Sequence, residues 1–99
     1  MSLYQLKRLP EVDQDARALP LALKRRLREN LEYLRSGPHR SYPWLQVKEL
    51  RDLRGVWRFH LDKKTRVFYV VSGDAIVVVM VERSAGVTAR TLTEIRRRM

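Results

Sequence analysis

The sequence contains no cysteine, which excludes a disulfide framework and a thiolate metal site and fits a cytoplasmic protein. Its two histidines, His39 and His60, leave any transition-metal site to lean on carboxylates,. No carboxylates cluster at ligand spacing, so neither a metal nor a cofactor is expected. The four glycines build no Gly-rich phosphate loop and no nucleotide-binding motif, and there is no G-x-S-x-G turn. No apolar run approaches the ~20 residues of a membrane span, and the opening MSLYQLKRLPEVDQ lacks the apolar stretch of a signal peptide. Repeats, linkers and low-complexity segments are also missing. Acidic residues are scarce: 11 Asp and Glu stand against 21 Lys and Arg, a net charge of +10 on 99 residues. Solubility alone seldom asks a small domain for more than ~8 net charges. Such an excess draws polyanions, either nucleic acid or an acidic protein. The length sets one domain over 1–99, burying roughly 60–65% of its unfolded surface.

The chain is organised around Val56 to Arg83, which reads VWRFHL, DKKT, RVFYVV, SGD and AIVVVMVER. These are three strand-like runs joined by short polar hairpin turns. The last run is apolar on both faces, so it should be central and covered on both sides. Upstream, LYQLKRL (Leu3 to Leu9) reads as a short strand with Tyr4 and Leu6 inward. EVDQDARAL reads as a short helix, with Glu11, Asp13 and Asp15 early, where the helix dipole favours them. Pro20 suits the first position of a second helix, Leu21 to Arg35, whose Leu23, Leu27, Leu31 and Leu34 recur at helical spacing. Ser36-Gly37-Pro38 stops it, with Gly37 suited to a left-handed cap. The leucine stripe of this helical hairpin needs a partner surface, and the sheet is the one large enough. HRSYP is a loop, and WLQVKELRDL (Trp44 to Leu53) is ambiguous, with Trp44, Leu45 and Val47 suited to start a strand and Leu50 and Leu53 to a turn after it. The basic tail from Thr88 has capping-box spacing at Thr91 and Glu94 and places Leu92, Ile95 and Met99 on one face. Alone it is too short to be a stable helix.

Strand alternation sends Trp57, Phe59 and Leu61 one way and Arg58 and His60 the other. In the next strand Val67, Tyr69 and Val71 share the core phase, leaving Arg66, Phe68 and Val70 opposite. Pairing the two strands through DKKT gathers Arg58, His60 and Arg66 on one surface. Guanidinium forks bind phosphate bidentately, and an imidazole exchanges protons near neutral pH. The set suits metal-independent RNA cleavage, in which a ribose 2′-hydroxyl attacks its neighbouring phosphate. His60 is the candidate for proton transfer, with Arg58, Arg66 and Arg83 as phosphate ligands. Phe68 is a candidate to stack a base, and Lys48, Arg54, Lys63 and Lys64 are candidates to contact RNA. A solvated sheet face with no chemistry carries the same residues. Tyr42, Pro43 and Trp44 form an aromatic group that either stacks a base or plugs the helix–sheet junction.

The order strand, two helices, three antiparallel strands and a short C-terminal helix resembles the RelE/ParE superfamily of toxins from bacterial type II toxin–antitoxin systems. The residues that carry the resemblance are VKELRDLRGVWRFHLD, RVFYVV and AIVVVMVER. They supply Lys48 to Leu50, Leu53 to Gly55, Trp57 to His60, Arg66 to Tyr69 and Ile76 to Val81 in the family's order. The resemblance implies an α+β, microbial ribonuclease-like fold, with a helical hairpin on a mainly antiparallel sheet of about four strands. It implies a toxin that cuts mRNA on the ribosome without metal, and it places Arg58, His60, Arg66 and Arg83 at the family's basic positions. It also implies a cognate antitoxin, usually with an acidic segment that neutralises the basic site and often displaces the C-terminal helix. RelE-like members often carry a Gly-x-Arg or Gly-His-Arg after the last strand and then a tyrosine. This chain reads ERSAGVTARTL there and has no tyrosine after Tyr69. Two alternatives therefore stay open: a ParE-like inhibitor of DNA gyrase, and a non-toxic module that only binds an antitoxin.

Overall fold

The computed structural model describes residues 3–84 and 86–99, so Ala85 of the ERSAGVTARTL segment lies outside the described residues. The elements are β1 (Gln5–Arg8), α1 (Pro10–Arg17), α2 (Leu21–Leu34), β2 (Lys48–Glu49), β3 (Val56–His60), β4 (Thr65–Ser72), β5 (Ala75–Arg83) and α3 (Ala89–Arg98). All the strands join one sheet in the order β1-β5-β4-β3-β2. β1 runs parallel to β5, and every other pairing is antiparallel. The sheet has five strands rather than about four, because the ambiguous WLQVKELRDL segment contributes the two-residue edge strand β2.

The sheet carries a separate apolar cluster on each face, since its central strands are covered from both sides. On one face α1 and α2 lay Val12, Leu19, Leu23 and Leu34 against Phe59, Leu61, Val67, Tyr69, Ile76 and Val78. On the other, Ile95 and Leu92 of α3 pack with Leu50, Val56, Phe68, Val79 and Met80. Tyr4 is half-buried, but Leu6 is 36% exposed, because β1 is an edge strand beside an open groove.

Two expected caps move. Pro20 is the residue before α2 rather than its first helical residue. Gly37 does not adopt a left-handed conformation, and among the described residues only Gly55 and Gly73 have positive φ, at 88° and 60°. A side chain at Gly37 would meet Arg40 Cβ at 3.3 Å. The glycine therefore serves a close approach of the chain, while Gly73 takes the positive φ that the tight SGD turn needs.

The register between β4 and β5 steps from Phe68↔Met80 to Tyr69↔Val78, leaving Val79 as an extra residue. This bulge reverses the side-chain alternation of β5. Ile76 and Val78 face the helical hairpin, and beyond the bulge Val81 does so, while Met80 and Glu82 turn to the α3 face. The bulge also leaves backbone groups to be partnered elsewhere. The Val81 N–H donates to Asp15 Oδ2 at 3.0 Å, and Arg98 Nη1 donates to the Val79 carbonyl at 3.0 Å. Arg98 closes the arrangement with a fork on Asp15, at 2.6 and 3.0 Å.

The tail is docked. Thr88, not Thr91, caps α3, and Thr91 is its third residue: the Thr91 N–H donates to Thr88 Oγ1 at 3.3 Å, and the Thr88 N–H donates to Thr91 Oγ1 at 3.2 Å. Such a cap contributes about 1 kcal/mol, and burying Ile95 adds roughly 1.5–3 kcal/mol. These tertiary contacts hold a helix of 10 residues that would fray alone,. Met99 leaves the apolar face and is exposed. Among the described residues no helix is long and apolar enough to cross a membrane.

Candidate functional site

The α3-facing side of β3 and β4 carries the charge. Cross-strand neighbours point to the same side of a sheet. Arg58 is paired with Lys48 on one flank and Phe68 on the other, and His60 is paired with Arg66. Arg58, His60 and Arg66 therefore share one surface, as alternation predicts. Arg58 and Arg66 line an open groove of ≈ 370 Å³ together with Lys48 and Arg51, with Val87 and Leu92 at its α3 end, and His60 lies beside Arg58 outside that lining. Of the groove's acids, Glu49 accepts from Arg54 Nη1 at 3.0 Å and from the Gly55 N–H at 2.8 Å. Its charge is thus partly compensated, and the groove keeps a cationic surplus.

Arg66 is held rather than loose. It is 8% exposed, and its Nη1 donates to the Ser84 carbonyl at 2.8 Å. Ser84 Oγ in turn donates to Glu82 Oε1 at 3.1 Å, and Thr91 Oγ1 donates to the same oxygen at 2.8 Å. Glu82 is the cross-strand neighbour of Arg66 and reaches this face because of the bulge. The first turn of α3 is thereby tied to the position of Arg66 through Glu82 and Ser84. Neither of those residues, nor Arg51, is marked by a sequence motif. Glu82 sits in a run whose simple alternation would send it to the other face.

Arg58 Nη1 lies 3.3 Å from His60 Nδ1. A guanidinium only donates, so Nδ1 accepts and the imidazole hydrogen sits on Nε2. Burial, followed by the like charge of Arg66, lowers the pKa of Arg58. Burial and then the charges of Arg58 and Arg66 hold His60 below its ordinary 6.5, opposed by Asp62. Cation crowding of this kind keeps the imidazole neutral near pH 7 and makes an incoming phosphate the natural counter-charge.

Other expected residues lie elsewhere. Phe68 is fully buried among Val56, Met80 and Ile95 and cannot stack a base, because α3 covers the strand face that sequence alone leaves open. Arg83 is the cross-strand neighbour of Thr65, on the opposite side of the sheet from Arg58 and Arg66, and lies 3.9 Å from Asp62. The same bulge that brings Glu82 in turns Arg83 away. Arg54 is exposed beside Glu49, and Lys63 and Lys64 are exposed in the β3–β4 turn. No tyrosine lines the groove among the described residues. Tyr69 is a core residue whose hydroxyl donates to the Pro38 carbonyl, and burial raises its pKa. Among the described residues no three His, Cys, Asp or Glu side chains gather as a metal site.

Comparison with known proteins gives no matching family profile and no matching curated protein. Solved structures do match. A chain of the archaeal RelE–RelB complex from Pyrococcus horikoshii OT3 is 23% identical, with a TM-score of 0.70 over 87% of this chain and 99% of that one. The YoeB dimer from Staphylococcus aureus matches at 13% identity and a TM-score of 0.70, over 82% of this chain and 97% of that one. A chain of the E. coli DinJ–YafQ toxin–antitoxin complex matches at 13% identity and a TM-score of 0.63, over 82% and 92%. This chain has the α+β, microbial ribonuclease-like fold of the RelE and YoeB structures, which is the fold its resemblance to the RelE/ParE superfamily implies.

Proposed function

We propose that this protein is the toxin of a type II toxin–antitoxin pair, a cytoplasmic, ribosome-dependent endonuclease that cuts mRNA without a metal. The observation that carries the reading is that Arg58 and Arg66 line one groove with Lys48 and Arg51, while His60 sits beside them on the same sheet face. In the reaction the 2′-oxygen bonds to phosphorus while the bond from phosphorus to the 5′-oxygen breaks. Products are a 2′,3′-cyclic phosphate and a 5′-hydroxyl. Arg58 and Arg66 grip the non-bridging oxygens and stabilise the charge of the phosphorane. As Arg58 turns to the phosphate it releases His60 Nδ1, which takes the proton of the 2′-hydroxyl. The leaving 5′-oxygen takes its proton from water, since no tyrosine stands at the groove. An antitoxin with an acidic segment is the partner the cationic groove calls for, and the matched DinJ–YafQ structure is a toxin–antitoxin complex.

The test is primer extension on an mRNA in a translating extract with the purified protein, and in parallel on naked mRNA. New 5′ ends only under translation support the reading. Cuts on naked RNA make the protein a free ribonuclease. No cuts in either reject the nuclease and move the enquiry to gyrase supercoiling, and an absence of growth arrest as well leaves the antitoxin-binding module.

The pH profile follows from His60. Its pKa in the folded protein lies below 6.5, so the neutral, proton-accepting form prevails through neutrality. Single-turnover cleavage on programmed ribosomes should be flat across neutral pH and fall only below about 6.5. An acid limb above pH 7 would remove His60 from the role. Stability runs the same way. The unfolded chain binds this proton more readily, so the contribution is present above about 6.5 and is lost as pH falls toward the folded pKa.

A further inference from the structure

We infer that Trp44, Tyr42 and Arg40 form a stacking platform for a base of single-stranded RNA, next to the basic groove. This deepens the RNA reading above and rests on it. Tyr42 is half-buried against the hairpin-side core, but Trp44 is no plug at the helix–sheet junction. Leu45 fills that place at 2% exposed, while Trp44 is 60% exposed and Tyr33 beside it 47%. The rings are ordered: Tyr42 and Trp44 stack with centroids 5.1 Å apart and 19° between planes, and Tyr33 meets Trp44 edge-on at 5.5 Å. The Arg40 guanidinium lies 5.1 Å from the Tyr42 centroid and makes no hydrogen bond or ion pair among the described residues.

The loop holding these rings is built rigid. The Tyr42 N–H donates to the Leu45 carbonyl at 2.8 Å, and the Leu45 N–H donates to the Tyr42 carbonyl at 3.0 Å. Gln46 Nε2 donates to the same Tyr42 carbonyl at 2.5 Å, and the Val47 N–H donates to Ser41 Oγ at 3.0 Å. A single exposed aromatic needs no explanation. Three packed rings with a guanidinium on one of them, held on a braced loop, present a preformed π-face with a cation for the adjoining phosphate. On the α2 side, Arg28, Glu29 and Glu32 border Tyr33, and Glu32 accepts from Arg35 Nη1 at 3.1 Å. Lys48 of the groove is four residue steps from Trp44, a Cα distance of no more than about 14 Å. One RNA strand can therefore meet both.

The test measures binding by anisotropy of a labelled six-nucleotide oligoadenylate with 2′-O-methyl riboses, which cannot undergo 2′-hydroxyl attack. Trp44→Ala should weaken binding about tenfold, inside the range for losing one stacked base, and Trp44→Phe should weaken it less. On an abasic oligomer with the same phosphates, Trp44→Ala should change nothing. Equal affinity of Trp44→Ala and the parent for oligoadenylate overturns the proposal, and so does an equal loss on the abasic strand. Should Trp44→Ala instead dissociate a dimer in sedimentation with RNA affinity unchanged, the face is a self-contact and the platform is rejected. Binding is read here without ribosome or cleavage. Its failure leaves the primer-extension result untouched, and the reverse holds too.

Discussion

Arg66→Ala should lower ribosome-dependent cleavage by about 10²- to 10³-fold, the usual loss when one fixed donor to a developing oxyanion is removed. Arg66 is the candidate of largest effect because it is the best held. It is nearly buried, bonded to the Ser84 carbonyl, and braced through Glu82 by Thr91 of α3. A donor fixed in place spends no reorganisation energy when the phosphorane forms. The cost to the fold is smaller, about 1–3 kcal/mol for leaving the Ser84 carbonyl short of a partner. Circular dichroism and antitoxin binding should survive. Arg66→Lys keeps the charge but loses the fork, and should recover only part of the rate. Adding His60→Ala to Arg66→Ala should abolish growth arrest in cells. A double variant that is folded and fully toxic would show that the chemistry, or the toxicity, lies elsewhere.

Arg98→Ala should destabilise the protein by about 3–5 kcal/mol, because it strands a nearly buried carboxylate rather than merely deleting a surface pair. The side chains of Arg98 and Asp15 are 9% and 14% exposed. Arg98 also serves the Val79 carbonyl, and Asp15 the Val81 N–H, so one change opens the bulge, the end of α1 and the end of α3 together. Thermal unfolding should move down by more than about 10 °C for a chain of this size. Arg97→Ala is the control. Arg97 is exposed, and though its fork helps hold the Glu94 carboxyl near 2, solvent screens the pair and its removal should leave the melting temperature nearly unchanged,. If the two variants melt alike, the ion pair at the bulge is not what docks α3. The thermal scan is concrete about function as well. An undocked α3 withdraws Thr91 from Glu82, so Arg98→Ala should lose cleavage at temperatures where its sheet is still folded.

Residues whose local pattern and final position differ do so because distant parts of the chain decide the outcome. Phe68 reads as a groove aromatic because period-two alternation puts it on the side of Arg58 and His60. That side assignment is correct, yet α3 covers half of that side, and no local pattern states where a short basic tail will dock. Arg83 reads as the fourth cation because it follows the last strand. The one-residue bulge at Val79, in a run of valines with no glycine to mark it, reverses the phase and exchanges Arg83 for Glu82. Asp15 reads as an early helical acid favoured by the dipole, and its principal partner lies 83 positions away. The Tyr42–Pro43–Trp44 group reads either as a base-stacking surface or as a plug at the helix–sheet junction. Leu45 takes the buried position, since a tight Tyr42–Leu45 bridge turns the indole outward.

The sequence by itself determined the helical hairpin, the three-strand run with its two turns, the inward set from Trp57 to Val71, and the basic face of Arg58, His60 and Arg66. Each of these is a matter of period, 2.0 in a strand and 3.6 in a helix, which fixes side-chain direction from neighbours alone. Only the tertiary structure decided which half of that basic face stays open, which acid braces Arg66, where Arg83 points, and that an aromatic loop stands exposed beside the groove. Those outcomes depend on contacts between residues far apart in the chain, on one inserted residue in one strand, and on which surface a marginal helix finds to bury Ile95. Periodicity carries none of that information.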